Sequence, residues 1–210
     1  AGPTFEKIDP VRFIGNYSSG KMGYAIAEQL AQEGANVVLV SGPVNLPVKN
    51  KSIKVIRVES ASEMYTECLQ HFKTTDGAVM CAAVADFTPL HPENVKTKRG
   101  KENWNLVLQP TRDIASALGE EKKEEQILVG FALETNNEIE NATLKLKTKN
   151  LDFIVLNSLN DPGAGFQTDT NKITIIDKNN NRKNFELKSK EEVAVDIVNK
   201  IIDTLTKNLN

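Results

Sequence analysis

Apolar positions along the chain alternate between two rhythms. From Gly20 to Gly34 the residues Met22, Ile26, Leu30 and Ala31 recur at helical spacing on one face, and Ser18 or Ser19 can cap the N-terminus. The segment ANVVLVSGP that follows is apolar without alternation, the pattern of a strand buried on both faces. IKVIRV predicts a second strand, SASEMYTECLQHF a second helix, and GAVMCAAVAD a third buried strand ending at Asp86. Strands and helices in this order build a parallel sheet with helices on both faces.

Residues 87–103, FTPLHPENVKTKRGKEN, break the rhythm with two prolines and five basic residues, counting His91. A long polar loop inside a compact domain is expected to be a lid or binding loop. NLVLQ then predicts a short strand, and TRDIASALGEE a helix capped by Thr111 or Asp113. QILVGFALET reads as a buried strand, NNEIENATLKLKTK as a helix with basic residues near its end, and LDFIVLN as a strand. NKITIIDKNNNRKNFEL alternates around an Asn-rich turn and predicts a β-hairpin, before the amphipathic helix KEEVAVDIVNKIIDTLTKN. FEKIDPVRFI, with Pro10 and alternating charges, gives no strand signal.

Composition narrows the class. The 210 residues fit one domain, 1–210, and are 40% hydrophobic and 26% charged, enough for a core without disulfides or a structural metal. A net charge of -2 gives no global attraction to nucleic acid or anionic membrane, so any anion site is a local concentration of cations and N–H groups. Cys68 and Cys81 fit no metal-ligand or C-x-x-C spacing and read as buried, reduced thiols of a cytoplasmic protein. His71 and His91 lie too far apart for a His-rich metal site. No apolar run approaches the roughly 18 residues of a membrane span. AGPT reads as the loop after a first strand, so the chain is expected to belong to something longer, with that strand upstream.

In an open sheet of this kind ligands bind at the carboxyl ends of the strands. AGPT, SGP at 41–43, AAVAD at 82–86 and GFALET at 130–135 all fall there. Gly15 to Lys21 satisfies the phosphate-loop pattern G-x-x-x-x-G-K, but Met22 stands where a Mg²⁺-binding hydroxyl belongs and no buried strand precedes it. A dinucleotide fold is the better rival, yet G-x-G-x-x-G is missing and VVLVSGP ends without an acidic residue for ribose. Gly20 and Gly23 are explained equally by tight helix packing. Lys145 and Lys149 share one helical face, and Lys96, Lys98 and Arg99 lie on the polar loop. Together they suit a polyphosphate clamp; singly, each reads as a solvated charge. Asp86 is either a turn cap or a ligand contact, and Phe131 either a core residue or a base-stacking one.

The ordered set AGPTFEKIDPVRFIGNYSSGKMGYAIA, SGP, AAVADF, GFALET, KLKTKNLDFIVLN and GAGFQTDTN closely resembles phosphopantothenoylcysteine synthetase, from residue 1 to about 172. The resemblance implies a Rossmann-like doubly wound α/β fold with a C-terminal hairpin extension. It also implies that this domain usually follows a flavin-dependent decarboxylase in a bifunctional coenzyme A biosynthesis protein, no flavin being expected in these residues. The implied reaction joins 4'-phosphopantothenate to L-cysteine. The carboxylate attacks the α-phosphate of CTP, giving an acyl-cytidylate and pyrophosphate, and the cysteine amine then displaces CMP. CTP rather than ATP follows from the likeness to the bacterial type. A homodimer is implied, with Mg²⁺ accompanying the triphosphate.

The resemblance also assigns residues. Asn16 corresponds to the Asn acting on the acyl-cytidylate, and Arg12 to the Arg of DPVR, suited to an anionic part of the substrate. Ser19 and Gly20, with Ala82 and Ala83, line the intermediate. Asp86, Arg112, Asp113, Ile114, Ala115, Phe131, Lys145 and Lys149 correspond to nucleotide contacts. Lys96 takes the place of the flap lysine of the first half-reaction, a shifted alignment putting Asn94 there. The chain departs from the pattern at Gly15, where Ser is usual, at KTKR in the flap, and at TRDI, where the family has Asn-Pro-Asp-Ile. The runner-up, an NAD(P)-dependent reductase of Rossmann type, needs a Tyr-x-x-x-Lys pair or similar proton donor on a helix, and none lies within a predicted helix.

Overall fold

The computed structural model describes residues 1–134, 136–158 and 168–208. The chain opens with a short antiparallel hairpin, β1 (Phe5–Lys7) and β2 (Phe13–Gly15). Helix α1 (Lys21–Gln32) leads to a parallel pair, β3 (Val37–Ser41) and β4 (Ile53–Arg57), and then to α2 (Ala61–Phe72) and β5 (Gly77–Met80). A second hairpin follows, β6 (Phe87–Pro89) with β7 (Leu108–Pro110), then α3 (Ile114–Glu121), β8 (Ile127–Glu134), α4 (Glu138–Thr148) and β9 (Phe153–Ser158). The chain ends with β10 (Thr170–Asn171), β11 (Ile173–Asp177), β12 (Arg182–Asn184), β13 (Lys188–Ser189) and α5 (Lys190–Asn208).

The fold is Rossmann-like α/β. Its main sheet has the order β12-β11-β9-β8-β5, with β5, β8 and β9 parallel and the β11–β12 hairpin added antiparallel at one edge. Residues 1–4 connect this sheet to the β3–β4 pair. Val40 and Gly42 bond to Ala1 on one side, and Ala83 bonds to Gly2 and Thr4 on the other.

Alternation along β8 and β9 accounts for the unbroken apolar runs. Val129, Phe153 and Val155 face α1 and α5, whereas Leu128 and Ile154 face α2, α3 and α4; all five are fully buried. Side chains of this size stabilise the fold by about 1.5–3 kcal/mol each on burial.

Several elements differ from their sequence signals. FEKIDPVRFI forms the β1–β2 hairpin, whose three-residue strands are too short for alternation to register. GAVMCAAVAD leaves the sheet after Met80, because the Cys81 N–H turns back to Val79 O and Ala83 pairs with the N-terminal segment. The flap has a paired stem, with Pro89 opposite Leu108 and the Leu90 N–H donating to Val107 O. Helix α1 has neither Ser18 nor Ser19 as its cap. Gly20 occupies that position at φ 77°, and Ser18 Oγ accepts from the Gly20 N–H at 3.3 Å. Of the two candidates for α3, Asp113 is the cap and accepts from the Ser116 N–H at 3.0 Å. Thr135 of GFALET and residues 163–167 of GAGFQTDTN lie outside the described residues.

Candidate active site

The segments that follow β2, β5 and β7 carry most of the predicted residues. Asn16 follows β2 directly, and its Nδ2 donates to the Ala83 carbonyl at 2.9 Å. The same carbonyl accepts from the Thr4 N–H at 3.3 Å. Thr4 Oγ1 accepts from the Ala85 N–H at 2.9 Å, and Thr111 Oγ1 donates to the Ala85 carbonyl at 2.7 Å. AAVAD is thus a loop held from both sides, with Ala82 and Ala83 half-buried and Asp86 exposed at its end.

Ser19 and Gly20 lie at the entrance to α1. A Cβ on Gly20 would lie 3.0 Å from Val44 Cγ1, and one on Gly23 would lie 2.6 Å from Ala1 Cβ. Both glycines therefore allow the helix to enter close against its neighbours, and at Gly20 the left-handed φ adds a second requirement. Met22 is buried in the core face of α1.

The lysines of α4 are paired. Lys145 Nζ lies 2.6 Å from Glu134 Oε1 at the end of β8, and Lys149 Nζ lies 3.0 Å from Asp113 Oδ2 at the start of α3. This second pair brings two predicted residues together. Burial alone would raise the Asp113 carboxyl, but the Ser116 N–H and Lys149 outweigh it and hold it below the ordinary value. Arg112 stacks over Tyr65 of α2, 4.2 Å from the ring centroid, with Nη2 3.4 Å from Ser62 Oγ. Ile114 is buried in the core, and Ala115 beside it is half-buried. Phe131 on β8 is half-buried and packs against the α1–α5 core face.

The flap is anchored to the first hairpin. Arg12 donates through Nε (3.0 Å) and Nη2 to Asp9 Oδ2, and through Nη2 to the Thr97 carbonyl at 3.0 Å. Its guanidinium lies 4.6 Å from the Trp104 ring centroid. Asp9 is buried, and Arg12 foremost holds its carboxyl well below the usual range. Lys96, next to Thr97, is exposed.

Asp9, Trp104, Glu134 and Thr4 were not singled out from the sequence, and Thr111 only as a candidate helix cap. Of the first four only Asp9 carried a signal, an Asp before Pro that suits a turn. Among the described residues no three or more His, Cys, Asp or Glu side chains cluster as for a metal. Both cysteines are free, with thiols pushed up to about 11 by burial, so neither is a thiolate at neutral pH. No helix of the described residues is long and apolar enough to cross a membrane.

The model of the DNA/pantothenate metabolism flavoprotein C-terminal domain matches residues 1–205. The chain is 59% identical over 202 residues to a "Cysteine/Cysteine sulfinic acid decarboxylase" from an unknown prokaryotic organism, covering 96% of this chain and 56% of that protein. It is 46% identical over 201 residues to the coenzyme A biosynthesis bifunctional protein CoaBC of Bacillus subtilis (strain 168), covering 96% and 49%. The crystal structure of the C-terminal domain of a coenzyme A biosynthesis bifunctional protein CoaBC aligns with TM-score 0.82 and 42% identity, over 99% of this chain and 93% of that one. The chain spans about half the length of the curated relatives it matches.

Proposed function

The chain belongs to the family of the DNA/pantothenate metabolism flavoprotein C-terminal domain, and from that premise we propose that it is a CTP-dependent phosphopantothenate–cysteine ligase of coenzyme A biosynthesis. The observation that carries the reading is the hydrogen bond from Asn16 to Ala83, which joins the loop before α1 to the loop after β5.

In the first step a carboxylate oxygen of 4'-phosphopantothenate bonds to the α-phosphorus of CTP, and the bond to the bridging oxygen of pyrophosphate breaks. Lys96 on the flap offsets charge developing on the departing pyrophosphate. Lys145 and Lys149 meet the phosphates by exchanging for them Glu134 at the end of β8 and Asp113 at the start of α3. Phe131, Asp86 and the 112–115 segment contact the nucleotide. In the second step the cysteine amine attacks the acyl carbon, CMP leaves with the bonding electrons, and the ammonium proton is lost to water. Asn16 orients the acyl group for that attack, with Arg12, Ser19 and Gly20 binding substrate. Ala82 and Ala83 leave room for the mixed anhydride, where ordered neighbours exclude water.

Mg²⁺ fits this donor set as an ion carried on the triphosphate, because it keeps several waters and takes one or two carboxylates with phosphate oxygens. Asp86 is the exposed carboxylate at hand. The enzyme is proposed to be cytoplasmic and homodimeric. Phe13, Phe87, Val107 and Leu108 stand exposed on the two small hairpins, which supports self-association there.

Residues 1–210 are assigned ligation rather than decarboxylation, the latter belonging by resemblance to the other half of a longer protein. Incubation with phosphopantothenate and cysteine, with CTP or ATP in turn, tests this. Pyrophosphate and amide should form with CTP. A folded sample that releases pyrophosphate with neither nucleotide, or that instead releases CO₂ from cysteine, overturns it.

A further inference from the structure

We infer that Asp9 is a positioning residue which, through Arg12, latches the flap at Thr97 and so sets where Lys96 stands for the first half-reaction. The inference deepens the ligase reading and rests on it for the kinetic consequence alone; the latch itself rests on contacts.

The contacts form a closed set. Asp9 Oδ1 accepts from the Val11 and Arg12 N–H groups at 2.8 and 2.9 Å, which fixes the turn between β1 and β2. Asp9 Oδ2 accepts from Arg12 and also from the Thr97 N–H at 3.2 Å. Arg12 in turn donates to the Thr97 carbonyl at 3.0 Å. Both main-chain groups of Thr97 are therefore held by one buried acid and its guanidinium partner. Charge-assisted bonds of this type are the stronger class, and Arg's planar fork suits two acceptors at once.

Two more flap contacts fall on the same turn. The Glu93 N–H donates to the Ile8 carbonyl at 2.8 Å, and Trp104 covers the outer face of the Arg12 guanidinium. The flap thus meets residues 8–12 at three separated points. Strand β2 runs from that turn directly to Asn16, so one hairpin carries the flap anchor at its turn and the Asn16 amide at its end. The latch bonds go to backbone atoms of Thr97, so they fix the chain on either side of it whatever side chain stands there. Lys96 is one of those neighbours.

The test uses Asp9→Asn, which keeps an oxygen for the turn but removes the charge facing Arg12. Arg12→Lys is its companion, retaining a cation for a substrate anion while losing the fork. Three measurements apply to both variants. Trypsin cleavage after Lys96, Lys98, Arg99 and Lys101, located by mass spectrometry, should accelerate about tenfold, with cleavage elsewhere unchanged. Emission from Trp104, the single Trp of the chain, should shift as the guanidinium leaves its ring. Pyrophosphate release without cysteine should slow about tenfold in rate constant with little change in CTP KM. In Asp9→Asn alone, conversion of preformed acyl-cytidylate by cysteine should also stay near the wild-type rate.

Unchanged cleavage and emission in both variants overturn the latch. Faster cleavage with an unchanged first step overturns the positioning role. If the unaltered chain releases no pyrophosphate, the ligase reading fails, and the protease and emission measurements still decide the latch. If Asp9→Asn does not fold, Arg12→Lys decides the latch by cleavage and emission, and the positioning role by its first-step rate constant at saturating phosphopantothenate.

Discussion

One hydrogen bond of 2.9 Å, from the Asn16 side-chain amide to the Ala83 main-chain carbonyl, joins residues 67 positions apart. Its direction matters, because an amide nitrogen donates to that carbonyl and a carboxylate cannot.

Asn16→Asp therefore sets two acceptors against each other at the junction. Amide formation is expected to fall about 10²–10³-fold, the scale of losing one well-placed donor. Pyrophosphate release should continue and acyl-cytidylate should accumulate, as seen by chromatography of quenched reactions. Full turnover to the amide would remove Asn16 from the role proposed.

Lys149 is a half-buried partner of Asp113, and exposed or partly exposed pairs contribute at most about 1 kcal/mol. Lys149→Gln is expected to leave the unfolding midpoint nearly unchanged while raising CTP KM about tenfold. Raised salt should increase the wild-type KM more than the variant's. An unaltered KM would assign Lys149 to structure alone.

Gly20→Ala combines a left-handed backbone with a Cβ 3.0 Å from Val44 Cγ1. A destabilisation of about 1–3 kcal/mol is expected, measured by denaturant titration. Gly34 also has positive φ, at 92°, but nothing lies within 4 Å of its Cβ position. Gly34→Ala should therefore cost less than Gly20→Ala, and the reverse order would contradict the packing described.

Asp113 supplies a pH dependence. Its folded pKa is lowered, burial being outweighed by the Ser116 N–H and Lys149, so its stabilising contribution is present above the unfolded value of about 3.9. That contribution is lost as pH falls through the folded value. Asp113→Asn preserves the helix cap, since both residues cap well, but removes the titration. The wild-type advantage in stability should be constant well above the unfolded value of about 3.9 and shrink as pH falls below it. A difference that does not change with pH would place the charge effect elsewhere.

The sequence exposed the large parallel framework because β8 and β9 are buried on both faces. Leu128 and Val129, or Ile154 and Val155, must all be apolar, and such runs are hard to misread. The two small hairpins were less legible. Each strand of β1, β2, β6 and β7 is three residues long, and several of their apolar side chains, Phe13 and Phe87 among them, face outward. The α1 cap was misassigned because serine is a good cap in general, whereas here the left-handed Gly20 fills the place. Asn16, Arg12 and the α4 lysines emerged from their motifs, but their partners did not. Glu134, Asp9 and Trp104 acquire meaning only once distant segments meet, and local periodicity carries no trace of that.

The β6–β7 stem has a consequence for how this domain can change over generations. It closes the flap on itself, so apart from the contacts of Glu93, Thr97 and Trp104 with residues 8–12 the remainder of the fold sees the two ends of a paired ladder. Closure entropy grows with the logarithm of length, about 0.6 kcal/mol for each doubling. The stretches between those contacts can therefore lengthen, shorten or be exchanged while the sheet behind them stays intact. Divergence among lineages should collect in those stretches, and a graft from a relative should fold on this scaffold if the stem and the contacts with residues 8–12 are kept.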